Sequence, residues 1–145
     1  MTTGPETYAQ VRRVLDHPIQ AVWSHIASFG GLERWVAGVV ACRVDGAGPG
    51  AVRTLELGDR AACERLEAID PEGHRLRYRI LPPHALPARD VTSEIRLTAL
   101  EDGRTEVIWR SEASGFDVPP EQLGARIERF YDLSIDGLRR LLDGG

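Results

Sequence analysis

Residues 119–142 read PPEQLGARIERFYDLSIDGLRRLL, and this stretch decides the fold. Two prolines suit a helix start, because the first helical N–H groups have no intrahelical acceptor and proline has none to lose. Behind them Leu123, Ile127, Phe130, Tyr131, Leu138, Leu141 and Leu142 recur at helical spacing, which predicts one helix with a wide apolar face. No other segment promises a helix of this length. Nearly everything from Val39 to Ser114 reads as strands, so the helix must lie on a sheet, and what lies between the two decides the function.

Immediately upstream, Arg89–Leu100 and Thr105–Ser114 read as strands joined by Glu101-Asp102-Gly103, whose Asp-Gly is a hairpin signal. Leu81–Pro87 (LPPHALP) carries three prolines. It must be a loop at the sheet's end, a place from which loops gate sites. In HRLRYRIL, Leu76, Tyr78 and Ile80 take one face and Arg75, Arg77 and Arg79 the other, with Asp70-Pro71-Glu72-Gly73 as the preceding turn. The arginine row reads as a solvated sheet back with Glu56, Glu67 and Glu94 as cross-strand partners. Further back, Ala62, Glu64, Leu66 and Ala68 oppose Cys63, Arg65, Glu67 and Ile69, and Arg53, Leu55 and Leu57 oppose Val52, Thr54 and Glu56. The glycines of DGAGPG, at 46, 48 and 50, precede a strand pattern rather than a helix. A phosphate-cradling loop is excluded on that context, and a turn between strands is expected.

Val39–Val44 is rich in β-branched residues and reads as a strand. Before it, Tyr8–Leu15 has strand character, Asp16-His17-Pro18 ends it, and a short helix follows with Val22, Trp23 and Ile26 on one face. Gly30-Gly31 stops that helix, and LERWVAG allows at most two more turns. The predicted order is β-α-α-β-β-β-β-β-β-α. This is an α+β fold, a curved antiparallel seven-stranded sheet around a long C-terminal helix, an arrangement that usually leaves an internal cavity.

Composition narrows the function. The 145 residues fit one domain spanning 1–145, with residues 1–6 a loose terminus. A net charge of −4 argues against a nucleic-acid partner. All 18 basic residues are arginine, which reads as coding bias rather than chemistry. Cys42 and Cys63 lack metal-ligand spacing, so no metal and no cofactor is expected. His17, His25, Ser24 and Ser28 read as surface or capping residues and spell out no nucleophilic triad. Without an apolar run of membrane-spanning length or a targeting segment, the expectation is a cytoplasmic protein with no integral membrane association, and a homodimer is compatible with it.

Several motifs taken in order resemble the helix-grip superfamily: Asp16, Pro18, Val22 and Trp23 in DHPIQAVW, GAGPGAVRTL from Gly46 to Leu55, ERLEAID from Glu64 to Asp70, and DVPP from Asp117 to Pro120. That group includes START lipid-transfer domains, birch-pollen-allergen-like proteins, plant abscisic-acid receptors and bacterial polyketide cyclases. The likeness runs over residues 8–142. It implies a cavity between sheet and last helix that takes a small hydrophobic or aromatic molecule. Set against the receptors, the resemblance turns Glu64 towards the pocket, and with it Glu112, Arg110 and Ser114. The receptors' pocket lysine falls at Val40, and the loop after Leu57 lacks their gate sequence, which speaks against hormone sensing of that kind. His84-Ala85-Leu86 stands where their latch loop would be.

Alternation agrees with the resemblance at Glu64, which shares a face with Ala62 and Leu66. In VIWRSEASG the two differ: alternation turns Trp109 and Ala113 inward, the resemblance Arg110 and Glu112, and the latter register is the one expected. Inward carboxylates need partners, and Arg110, with Arg89 at the mouth, would supply them. Such groups suit enolisation, dehydration or ring closure of a polyketone. The expected catalytic set is therefore Glu64, Glu112 and Arg110. On the sheet, Val40, Leu55, Leu57, Leu66, Tyr78, Ile80 and Val91 would form the wall, with His84, Arg89 and Ser114 at the mouth. On the helix, Leu123, Ile127, Phe130, Ser134 and Leu138 would face the ligand, Ser134 being a small polar residue in an apolar stripe. The functional expectation is a polyketide-cyclase/dehydratase-like enzyme. The alternatives are a non-catalytic carrier of lipid-like molecules and an interaction module with a vestigial cavity.

Overall fold

A computed structural model describes residues 4–144. In chain order it has β1 (Glu6–Leu15), α1 (Ile19–Ala27), a 3-10 turn (Leu32–Arg34), β2 (Ala41–Asp45), β3 (Val52–Glu56), β4 (Ala61–Asp70) and β5 (Arg75–Ile80). Then follow β6 (Ala88–Arg89), β7 (Thr92–Ala99), β8 (Thr105–Ala113), β9 (Gly115–Phe116) and α2 (Pro120–Leu142). Seven strands pair antiparallel in the order β1-β8-β7-β5-β4-β3-β2. This is the seven-stranded helix-grip sheet, with α2 across it.

The structure corrects three local expectations. The second short helix shrinks to the 3-10 turn, where Gly31 in the left-handed region caps three residues. The strand expected at 89–100 breaks at Asp90, whose φ is 53°. Its first piece leaves the main sheet and pairs with Gly115–Phe116. In β4 the register slips between Leu66 and Ala68; this bulge reverses the alternation, so Ile69 packs on the core instead of facing out with Cys63 and Arg65.

The helix lies close on the backbone beneath it, and its small residues allow this. A Cβ on Gly124 would collide with the Tyr8 carbonyl oxygen, and one on Gly137 with that of Trp35. Between them Ser134, 0 % exposed, accepts a hydrogen bond from the Ala37 N–H at 3.0 Å. The small polar residue in the apolar stripe is thus an anchor for the loop before β2, not a cavity wall. Arg13 on β1 adds a lateral tie, with NH2 2.6 Å from Asp136 Oδ1 and NH1 3.3 Å from Asp132 Oδ1.

On the outer face the arginines are paired. Glu94 receives Arg110 at 3.2 Å and Arg75 at 3.5 Å, Arg79 meets Asp90 at 2.8 Å, and Arg65 meets Glu67 at 2.9 Å. Arg77 pairs with Glu112. Glu56, an expected partner, makes no ion pair among the described residues.

Candidate functional site

Between the inner face of the sheet and α2 lies a cavity of about 340 Å³. β3 and β4 contribute Leu55, Ala61, Ala62 and Glu64, with Leu57 and Arg60 on the turn between them; β5 contributes Tyr78 and Ile80, and the two far strands Tyr8 and Ser111. The helix closes it with Arg126, Ile127, Phe130 and Tyr131, and the loops with Ala37–Val39 and His84–Leu86. The walls are mostly apolar, as ligand clefts of ~300–1,000 Å³ usually are.

Of the residues expected at the wall, Glu64, Leu55, Leu57, Tyr78, Ile80, His84, Ile127 and Phe130 lie there. The others do not. Val40 is 66 % exposed, and its neighbour Val39 lines the cavity in its place. Leu66, Val91, Leu123 and Leu138 are buried in the core clusters and do not line this cavity. Arg89 and Ser114 sit outside on the small β6–β9 ribbon, Arg89 paired with Asp117 at 2.6 Å and Ser114 hydrogen-bonded to Asp90.

The inward register expected for Arg110 and Glu112 is also corrected. In β8, Thr105, Val107, Trp109, Ser111 and Ala113 are buried and the residues between them face out. Trp109 decides this: a slip of one residue would expose its indole, which stacks on Tyr131 at 4.0 Å between centroids. Burial alone would raise the Glu112 carboxyl, but the hydrogen bond and charge of Arg77 outweigh it and hold the group below the usual range.

Glu64 finds a different partner. Arg53 stands opposite it in the β3–β4 register, with Nε 2.8 Å from Oε1 and NH2 also 2.8 Å away. The guanidinium lies over the rings of Phe29 (4.1 Å) and Tyr78 (4.6 Å) and donates to the Phe29 carbonyl at 3.2 Å. Both contacts fall on Oε1. Oε2 has no hydrogen-bond partner among the described residues, on a side chain that lines the cavity.

All three tyrosines of the chain meet at the same cavity. Trp109 Nε1 donates to Tyr78 at 3.2 Å. Ser111 donates to Tyr8 at 2.8 Å, Ser93 donates to Ser111 at 3.2 Å, and Ser93 also meets the Tyr131 hydroxyl at 3.1 Å. Burial raises the phenol pKa of each tyrosine, and at Tyr78 the Glu64 charge raises it further. The three phenols therefore stay protonated through the neutral range. An indole N–H can only donate, so the Tyr78 oxygen accepts and its own O–H is left for Ser93 or for a ligand oxygen. In the proline loop, His84 Nδ1 is buried without a partner among the described residues.

Tyr8, Ser111, Arg53, Arg60 and Arg126 were not foreseen at the site. The signal for Arg53 was present, since alternation set it beside Leu55 and Leu57. Among the described residues no group of three or more His, Cys, Asp or Glu side chains is placed to hold a metal, and no helix is long and apolar enough to cross a membrane.

The sequence matches a family model described as polyketide cyclase / dehydrase and lipid transport over residues 7–143. No curated protein matches it. Among solved structures, an uncharacterised protein of Bacillus thuringiensis is similar at a TM-score of 0.81 and 20% identity, covering 92% of this chain and 97% of that one. The protein XoxI of Bacillus cereus follows at 0.78 and 21%, covering 92% and 95%. The birch-pollen-allergen-like protein Ara h 8.0201 is similar at 0.78 and 13%, covering 98% and 100%. At these identities the likenesses speak for the helix-grip fold.

Proposed function

The chain belongs to the polyketide cyclase/dehydrase and lipid transport family, and from that premise we propose that it binds one compact, largely apolar or aromatic molecule bearing carbonyl or hydroxyl oxygens, and carries out acid–base chemistry on it. Family membership supports the hydrophobic ligand. The observation that carries the reading is the convergence of Tyr8, Tyr78, Tyr131 and Ser111 on one apolar cavity. Neutral hydroxyls enclosed by hydrocarbon cost little to desolvate while they bond one another. They can donate to a carbonyl, and more strongly to the enolate oxygen that grows from it, because that charge is shielded from water.

Glu64 supports catalysis over carriage alone. Its side chain lines the cavity, and Arg53 engages only Oε1, which leaves Oε2 for a ligand. In a dehydration, Oε2 would take the proton from the carbon next to a carbonyl, Tyr78 would donate to the carbonyl oxygen, and the proton held on Oε2 would then pass to the hydroxyl on the neighbouring carbon, which departs as water and restores the carboxylate. Carriage without chemistry is the second reading. It is favoured by the Arg53 pairing, which already engages the carboxylate at Oε1.

One experiment separates them. Titration with 2-acetonaphthone, followed by tryptophan fluorescence, should saturate, as Trp109 touches both Tyr78 and Tyr131. Incubation with 4-hydroxy-4-phenyl-2-butanone should release the conjugated enone, with Glu64→Gln and Tyr78→Phe slowing release while leaving ketone binding in place. Saturable binding with no enone leaves only the carrier reading, and enone release unchanged in Glu64→Gln removes Glu64 as the base.

A further inference from the structure

Arginine pairing singles out the cavity mouth. Most arginines of the chain lie within ion-pair distance of a carboxylate; Arg34, Arg60, Arg126, Arg129 and Arg140 do not, among the described residues. Two of these five, Arg60 and Arg126, line the same cavity. They reach it from opposite sides. Arg60 sits in the tight turn after β3, closed by the Leu57 N–H on the Arg60 carbonyl at 2.8 Å, and Arg126 is on α2, one residue before the wall residue Ile127. Nothing on the helix can neutralise Arg126, since the positions three and four away are Leu123, Gln122, Arg129 and Phe130. Asp59, beside Arg60, is exposed and pairs with no cation among the described residues. In a chain with 22 acidic residues against 18 basic ones, two uncompensated cations at one rim mark a place for a negative charge that the protein does not itself supply.

The rest of the cavity fixes which way such a ligand points. The buried cation, Arg53, is already neutralised by Glu64, and the pair leaves no net positive charge on the buried wall. Only the two exposed arginines offer free positive charge, and guanidinium forks match oxyanions bidentately. We propose that the ligand is an amphiphilic anion: its apolar body fills the cavity, its neutral oxygens meet the tyrosine hydroxyls, and its carboxylate or phosphate ester is held at the mouth by Arg60 and Arg126. This rests on the ligand-cavity reading above and narrows it to a substrate class.

The test is calorimetric titration of the full chain with three probes that share a naphthalene body: neutral 2-acetonaphthone, 2-naphthoate and 2-naphthyl phosphate. At least one anion should bind about five- to tenfold tighter than the ketone, as expected for two partly exposed charge contacts. Raising salt from about 0.05 to about 0.5 M should erase that advantage and leave the ketone unchanged. The double variant Arg60→Gln/Arg126→Gln should do the same at low salt; both side chains are exposed and unpaired, and an unchanged melting temperature will confirm that the fold is intact. Which anion wins tells a carboxylate from a phosphate ester. Anions that bind no tighter than the ketone, or an advantage that survives the double substitution, would overturn the mouth site while leaving the cavity reading standing. Failure of all three probes to bind would overturn both.

Discussion

Arg53 and Glu64 face each other across neighbouring strands on the inner side of the sheet, 2.8 Å apart and 5 % and 8 % exposed. Their neighbours on that face are apolar, Leu55 and Leu66 among them. Desolvating two charges costs several kcal/mol per ion, so such a pair is rarely a net source of stability. An aliphatic pair of similar volume would fill the same space. On the proposed function the pair fixes one carboxylate oxygen and leaves the other free for a ligand.

Removing one partner should therefore hurt and removing both should not. Glu64→Ala leaves a buried guanidinium and is expected to lower stability by ~3–5 kcal/mol, whereas Arg53→Met/Glu64→Leu should stay within ~1 kcal/mol of the parent. Urea unfolding of the three proteins measures this. A double variant as unstable as the single one would mean that the pair itself holds the sheet together.

The glycines of α2 give a second prediction, in which two effects oppose. Alanine is the better helix former by ~1 kcal/mol. A Cβ at position 124 or 137, however, runs into the backbone carbonyl of Tyr8 or Trp35, and neither can swing away as a side chain tip would. The collision should win, with Gly124→Ala and Gly137→Ala each destabilising by ~1–3 kcal/mol, as overpacking does. Thermal melts decide it: a higher melting temperature in either variant would show that helix and sheet have slack between them.

The same close approach explains what was legible in the sequence. Prolines 119 and 120 and the apolar period behind them fixed a helix, the alternation fixed an antiparallel sheet for it to cover, and the resemblance of the ordered motifs supplied the helix grip. Alternation also turned Trp109 inward, correctly, where family resemblance turned Arg110 and Glu112 inward. The largest apolar side chain sets the register, and a distant relative's polar residues do not. Ile69 was misplaced because a bulge leaves no local mark in ACERLEAID. Ser134 was misread because a small polar residue in an apolar stripe has two uses, wall or anchor, and its partner, the Ala37 N–H, lies 97 residues away. Tyr8 and Ser111 went unnoticed for the same reason, their hydrogen bond spanning 103 positions.

Alkaline titration should report the tyrosine cluster. Tyr8, Tyr78 and Tyr131 all have phenol pKa values raised by burial in the folded state, against about 10 in an unfolded chain. A raised folded value means the folded state holds its proton more tightly. That contribution is complete below about pH 10 and drains away as pH climbs towards the folded values. Phenolate absorbance should therefore not follow a curve centred near pH 10, and should rise together with the loss of ellipticity. Phenolate appearing near pH 10 with ellipticity intact would place the hydroxyls in contact with bulk water.

Two substitutions to phenylalanine locate the empty space. Ala62 lines the cavity and shares the inner face with Leu55, its partner in the β3–β4 register. Ala62→Phe projects a ring into about 340 Å³ of void, so 2-acetonaphthone binding should fall by at least about tenfold while stability holds or rises, since burying apolar area contributes roughly 25 cal/mol per Å². Ser134 has no such space. There the ring would overpack the helix against the loop at Ala37, and that N–H would lose its acceptor, for a combined cost of ~2–6 kcal/mol. Melting temperature and fluorescence titration on both variants settle the matter. A stable Ser134→Phe protein that no longer binds ketone would place the ligand against Ser134 and make that residue a cavity wall rather than an anchor.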